Sequence, residues 1–172
     1  WQRLNSPNDL VVKSDDTIWF TDPPYGILSN YEGHKSDSEL GANYVFRFDP
    51  ARNELQIVGD DFDRPNGLCF SPDENVLYIA DTGEPRHIRA FDVENGSRLK
   101  NDRVFAEVRP GMADGFRVDT DGNVFTSAYD GVQVFSAGGK LLGKILVPEE
   151  RTANCTFGGP NKSRLYIAAD VS

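Results

Sequence analysis

Similar short segments recur along the chain, and their spacing restricts the possible folds more than any other feature. The first three segments are Ser6-Pro7-Asn8-Asp9-Leu10, Arg64-Pro65-Asn66-Gly67-Leu68 and Met112-Ala113-Asp114-Gly115-Phe116, and a degenerate fourth begins at Cys155. Counted from Asn8, Asn66, Asp114 and Cys155, they start 58, 48 and 41 residues apart. Repeats of roughly 40 to 50 residues, each with about four strands, are typical of β-propellers.

Each repeat unit has the pattern of several short strands. An apolar strand pattern follows the first turn of every unit, at residues 17–20, 76–79, 123–126 and 165–168. A second strand with alternating apolar and polar residues follows at 43–49, 88–93 and 131–135. No window has a convincing helical spacing of apolar residues. The sequence therefore predicts an all-β propeller with about four units, either a small propeller or part of a larger one.

Composition and charge narrow the possible partners. The 172 residues carry a formal net charge of −9 at pH 7, which disfavours nucleic acid and anionic lipid as partners. No apolar run approaches the roughly 18 residues that a membrane-spanning helix needs. Cys69 and Cys155 lie in apolar runs and provide no disulfide framework. We expect a single domain over residues 1–172.

The repeat also predicts a site. Because equivalent positions of successive propeller units approach a common axis, Asn8, Asn66 and Asp114 are expected to direct oxygen atoms towards one point. Three such donors suit a hard cation such as Ca²⁺, with water completing its coordination. The same residue types also cap turns through bonds to the backbone, and the repeat alone leaves both interpretations open.

Other polar residues give weaker evidence of a functional role. We interpret the aspartates seven positions further on, Asp15, Asp73 and Asp121, as structural residues of hairpin turns. The two histidines, His34 and His87, have no zinc-site spacing. Tyr25 follows the rigid pair Pro23-Pro24, so it either lies over the mouth of a pocket or packs in a turn.

Several motifs in combination resemble a known family. They are Asn5-Ser6-Pro7-Asn8-Asp9-Leu10, Trp19-Phe20-Thr21-Asp22-Pro23-Pro24-Tyr25-Gly26, Arg64-Pro65-Asn66-Gly67-Leu68, Ala113-Asp114-Gly115 and Phe157-Gly158-Gly159. Their joint occurrence resembles the gluconolactonase/SMP-30 (regucalcin)/luciferin-regenerating-enzyme family over nearly the whole chain, and in particular its bacterial sugar lactonases. This resemblance implies a six-bladed propeller, one divalent cation in the central channel, and hydrolysis of lactones to hydroxy acids.

The resemblance also implies residue roles. Asn8, Asn66 and Asp114 become metal ligands, and Asp114 becomes the catalytic acid or base as well. Asp9 and Tyr25 are implied to lie near the substrate, a small lactone. Ca²⁺ is the leading cation, while Zn²⁺, Mg²⁺ and Mn²⁺ are accepted by the same oxygen donors.

The sequence departs from the family pattern in one respect. The family's fourth ligand, a Glu, comes from an early blade N-terminal to the segments found here. Six blades of roughly 45 residues need about 270 residues, so we expect this chain to lack N-terminal blades. Three explanations stay open: a piece of a longer protein, self-association of two chains to close the ring, and a degenerate product without activity. Two other functions stay open: a non-catalytic calcium-binding or protein-binding scaffold, and a phosphotriesterase-like propeller hydrolase.

Overall fold

The fold is built almost entirely from antiparallel sheets. A computed structural model describes residues 2–31 and 33–170. Within them, sheet 1 contains β1 (Leu10–Val12), β2 (Ile18–Asp22), β3 (Tyr44–Asp49) and β4 (Glu54–Gly59). Sheet 2 contains β5 (Pro65–Phe70), β6 (Val76–Asp81), β7 (His87–Glu94) and β8 (Arg98–Glu107). Sheet 3 contains β9 (Phe116–Val118), β10 (Val124–Ala128), β11 (Gly131–Phe135) and β12 (Leu141–Leu146), and sheet 4 contains β13 (Thr152–Gly158) and β14 (Arg164–Ala169).

In each sheet, strands that follow one another in the chain lie side by side. The predicted all-β class and the predicted strand positions are therefore confirmed, with three sheets of four strands and a fourth of two in the described residues. One helical turn, α1 (Tyr25–Leu28), was not expected from the sequence. Four residues are too few for an apolar periodicity to show.

The core lies between the sheets. Sheets 1 and 2 meet around Trp19, which is fully buried and packs edge-on against Phe70 at a centroid distance of 5.4 Å. Sheets 2 and 3 enclose a second cluster that includes Ile88, Phe116 and Val124. Full burial of each large apolar side chain contributes about 1.5–3 kcal/mol, so these two layers hold neighbouring sheets together.

A buried arginine extends the first layer. Arg89 is 6% exposed, and its guanidinium carbon lies 4.4 Å from the ring centroid of Phe62 and 4.9 Å from that of Phe91. Asp61 and Asp102 each accept hydrogen bonds from the guanidinium. The charge is thus paired and stacked on aromatic rings, which is what makes its burial tolerable.

The hairpin turns confirm most of the predicted structural aspartates. Asp15 and Asp73 each accept a bond from the backbone N–H two residues further on. The prediction for Asp121 is wrong in detail. In that turn the acceptor is Asp119, whose Oδ1 receives the N–H groups of Asp121 and Asn123, because Asp119 stands at the position that closes the hairpin.

The outer face of sheet 1 has no cover within the described residues. Leu10, Val12, Leu55 and Ile57 lie on this face and are about half exposed. Further blades and self-association stay predictions, as does the single domain over 1–172, of which residues 1, 32, 171 and 172 lie outside the described part. In that part, no helix has the length and apolar character that crossing a membrane requires.

Candidate functional site

A cavity of about 870 Å³ lies where the first strands of the sheets begin. Four of the five residues predicted for the site line it: Asn8, Tyr25, Asn66 and Asp114. Asn8 precedes β1, Asn66 lies in β5, and Asp114 precedes β9. Residues 58 and 48 positions apart in the chain therefore share one wall, as the repeat predicts.

The fourth unit has a different register from the one predicted. The backbone N–H of Gly115 donates to the carbonyl of Ala153 at 2.8 Å, and Ala153 lines the cavity. Cys155 is buried instead, with its Sγ 3.3 Å from the Phe125 carbonyl oxygen. Ala153 thus occupies the position equivalent to Asp114, so this unit contributes no side-chain oxygen there.

Asp9 does not line the large cavity. It lines a smaller cavity of about 250 Å³, and Asn8 lines both. Its Oδ1 accepts the N–H of Leu10 at 2.8 Å, and its Oδ2 lies 3.9 Å from the Arg117 guanidinium. These contacts describe a residue that orders the start of β1, and they do not direct its carboxylate to the large cavity.

Two buried aspartates position the site loops, and sequence reasoning missed both. Asp22 accepts the N–H groups of Asn5 and Ser6 at 2.9 and 2.8 Å. Asp81 accepts those of Asp63 and Arg64 at the same two distances. Each carboxylate ends the second strand of its sheet and ties down the segment leading to Asn8 or Asn66. The available signal was an Asp at the end of β2 and β6, beside a Thr in both cases.

The side-chain oxygen of Asn66 indicates where the cavity could hold a cation. The residue is only 6% exposed, and its Oδ1 is buried with no hydrogen-bond donor among the described residues. Leaving a buried acceptor unsatisfied costs about 1–3 kcal/mol. A cation placed against this oxygen would remove that cost.

Tyr25 is held beside Asn66. Its hydroxyl forms a hydrogen bond with Oγ1 of Thr82. Burial raises the pKa of the Tyr25 hydroxyl, and the nearby Asp114 carboxylate adds to that rise, while the side chains of Thr82 and Asn66 oppose it. The hydroxyl is therefore protonated at neutral pH. Because Thr82 Oγ1 donates to the Arg64 carbonyl at 3.2 Å, the Tyr25 hydroxyl donates its proton to Thr82 and presents its oxygen as an acceptor.

The donor set fits a hard cation. Asn8 and Asn66 offer amide oxygens and Asp114 offers a carboxylate, which is the oxygen chemistry that Ca²⁺ and similar ions prefer. Across residues 2–31 and 33–170, no group of three or more His, Cys, Asp or Glu side chains is arranged to hold a metal ion. A site here would thus depend on the amides as much as on the carboxylate.

Comparison with known proteins assigns the chain to a family. Residues 1–170 match the family described as the SMP-30/gluconolactonase/LRE-like region. The chain belongs to this family. The resemblance inferred from the sequence motifs is confirmed.

Relatives of this SMP-30/gluconolactonase-like chain include named lactonases. It is 38% identical to a gluconolactonase of Zymomonas mobilis, over 98% of this chain and 49% of the relative. It is 34% identical to a pentonolactonase of Haloferax volcanii, over 76% of this chain and 46% of the relative. The chain thus spans about half the length of the relatives it matches.

Solved structures confirm the propeller class. A gluconolactonase from Xanthomonas campestris superposes with a TM-score of 0.92 at 45% identity, over 98% of this chain and 55% of that one. A calcium-binding regucalcin from Agrobacterium tumefaciens gives 0.76 at 22% identity, over 94% of this chain and 52% of that one. The second likeness concerns the fold alone.

Two further residues of this family member line the cavity and were not expected from the sequence. They are Tyr129, which follows β10, and Arg151, which precedes β13. The guanidinium carbon of Arg151 lies 5.5 Å from the Tyr129 ring centroid. Neither belongs to the repeated motif, so no signal in the repeat could have identified them.

Proposed function

We propose that the protein carrying this chain hydrolyses a sugar lactone to its hydroxy acid with a divalent cation, Ca²⁺ being the leading candidate. The observation that carries the proposal is that Asn8, Asn66 and Asp114 line one cavity. Membership of the SMP-30/gluconolactonase-like family supports it. The gluconolactonase and pentonolactonase relatives, each over 30% identical, supply the substrate class.

The proposed cation rests on the buried amide oxygen. Asn66 Oδ1 lacks a donor among the described residues, and Asn8 and Asp114 line the same cavity, so these three residues would hold the ion. The calcium-binding regucalcin has the same fold. A divalent cation bound there would polarise the lactone carbonyl and offset the negative charge that develops on its oxygen.

The side chains have separate roles in the proposed reaction. Water attacks the carbonyl carbon, the ring C–O bond breaks, and the released ring oxygen takes a proton. The Asp114 carboxylate accepts the proton from the attacking water and returns it to the ring oxygen. Tyr25, whose proton is engaged with Thr82, accepts a hydrogen bond from a hydroxyl of the bound sugar. Asp114 is anchored for this role because its backbone N–H donates to Ser127 Oγ at 2.9 Å.

The test is hydrolysis of glucono-1,5-lactone by the whole protein, followed by acid release in weak buffer against the spontaneous rate. Activity that disappears with EDTA and returns with Ca²⁺ is the expected result. Ca²⁺ binding without turnover would contradict the proposal and favour a non-catalytic scaffold. Turnover of an organophosphate ester but not of the lactone would favour the phosphotriesterase alternative.

A further inference from the structure

Tyr129 and Arg151 form a part of the cavity wall that the proposed chemistry does not use. Both line the cavity that contains Asn8, Asn66 and Asp114. Tyr129 is 37% exposed, with Arg151 stacked against its ring at 5.5 Å. This distance is within the roughly 6 Å over which a guanidinium is attracted to an aromatic face.

The ring of Tyr129 is held by the backbone beneath it. A β-carbon at Gly111 would lie 2.3 Å from Cδ1 of Tyr129, so the ring rests directly on the glycine. Gly111 has a φ of 91°, a conformation that side chains other than glycine rarely adopt. The backbone N–H of Tyr129 also donates to the Pro110 carbonyl at 3.3 Å. The aromatic surface is therefore fixed before any ligand binds.

The backbone of Arg151 is equally well held. Its carbonyl accepts the N–H of Asp170 at 2.9 Å. The next residue, Thr152, is 4% exposed, and its hydroxyl lies 2.6 Å from the Ala128 carbonyl and 2.5 Å from the Gly131 carbonyl. The exposed guanidinium thus projects from a rigid strand start beside a rigid ring.

The charge of Arg151 has no acidic partner in the described part of the chain. No Asp or Glu carboxylate of residues 2–31 and 33–170 lies within 4.0 Å of its guanidinium. This is so even though Asp114 and Asp170 line the same cavity and the chain has a net charge of −9. A guanidinium suits two-pronged bonds to phosphate or carboxylate.

We propose that Tyr129 and Arg151 form a subsite that selects sugar lactones with an anionic group, a phosphate ester or a carboxylate, remote from the lactone carbonyl. The inference rests on the proposed function, since it names the substrate class of the same cavity. The Tyr129 ring positions the guanidinium stacked against it, and Arg151 binds the anionic group.

The experiment compares kcat/KM in the whole protein for three substrates: glucono-1,5-lactone, its 6-phosphate and a glucaric acid lactone. The variants are Arg151→Ala and Arg151→Lys, with Arg98→Ala as the control because Arg98 is exposed on β8. Arg151→Ala is expected to lower kcat/KM about 10- to 100-fold for an anionic lactone and by less than about threefold for the neutral one. Arg151→Lys keeps the positive charge but loses the planar guanidinium. Its kcat/KM for an anionic lactone is expected to lie between the values of wild type and Arg151→Ala.

The pattern of losses decides the outcome. An equal loss on neutral and anionic lactones, or no loss on either, overturns the subsite. A loss of kcat/KM on the phosphate or the carboxylate lactone, without a loss on the neutral one, supports the subsite and identifies the anion that it binds. Thermal unfolding of each variant shows whether it folds.

A binding assay separates this inference from the proposed function. Titration calorimetry with gluconate 6-phosphate, glucarate and gluconate does not need turnover. If gluconate 6-phosphate or glucarate binds more tightly than gluconate, and Arg151→Ala removes that difference, the subsite is supported even if no lactone is hydrolysed. Equal binding of the three acids, or binding of none, overturns it.

Discussion

Gly67, in β5, and Asp114, just before β9 of the neighbouring sheet, touch through their backbones. A β-carbon at Gly67 would lie 2.1 Å from the carbonyl oxygen of Asp114, far inside van der Waals contact. Gly67 directly follows Asn66, so the same approach brings two of the proposed ligands to one cavity wall. The absence of a side chain at residue 67 is therefore a condition for the site to form.

Replacing Gly67 with Ala is expected to push Asp114 away. We expect the free energy of unfolding to fall by about 1–3 kcal/mol, because the backbone oxygen cannot rotate aside as a flexible side chain could. Urea denaturation measures this change. Gly143→Ala is the matched control, since a β-carbon there meets nothing within 4 Å. Equal stability of the two variants would show that the sheets can separate at no cost.

Asp114→Asn is expected to remove activity and weaken cation binding. The amide keeps the shape of the side chain but cannot take a proton, so the rate of lactone hydrolysis should fall by about 100-fold or more. Calorimetric titration with Ca²⁺ measures the loss of affinity separately. The control is Asp121→Asn, an exposed turn residue seven positions further on. Turnover retained in Asp114→Asn would remove this carboxylate from the mechanism.

Asp81→Asn tests whether this carboxylate holds the segment that leads to Asn66. Asp81 is 2% exposed and its two oxygens receive the N–H groups of Asp63 and Arg64. An amide can accept at only one of these positions, so an N–H is left without a partner and stability should fall by about 1–3 kcal/mol. Ca²⁺ affinity should fall as well, because Arg64 leads directly to Asn66. Asp60→Asn, on an exposed residue nearby, should leave both quantities unchanged.

The turn at Asp73 predicts a dependence on pH. The Ser71 hydroxyl, then the side chain and backbone N–H of Asn75, lower the pKa of Asp73 from 3.8 to about 2. Because folding favours the ionised form, its stabilising effect is present above pH 3.8 and is lost as the pH falls towards 2. Urea denaturation across this range should show wild type approaching Asp73→Asn at low pH. A difference that stays constant with pH would contradict this role.

The buried aspartates show why part of the site could not be predicted. Asp22 and Asp81 bind backbone N–H groups that lie 16 to 18 residues earlier in the chain. Their one local signal, an Asp beside a Thr at a strand end, does not reveal which backbone groups the carboxylate binds. Asp9 shows the opposite case, since it shares the smaller cavity with its neighbour Asn8, but only Asn8 also lines the large one. Neighbouring residues of an extended chain point to opposite sides.

By itself, the sequence determined the all-β class, the strand positions and the convergence of Asn8, Asn66 and Asp114. It could do so because repeated units adopt equivalent structures around one axis, so one motif predicts the others. Only the tertiary structure decided that Ala153 takes the equivalent place in the fourth unit, and that Tyr129 and Arg151 complete the wall. Tyr129 and Arg151 come from connections outside the repeat, and the place of Ala153 in β13 depends on how the sheets pack and in which register their strands pair.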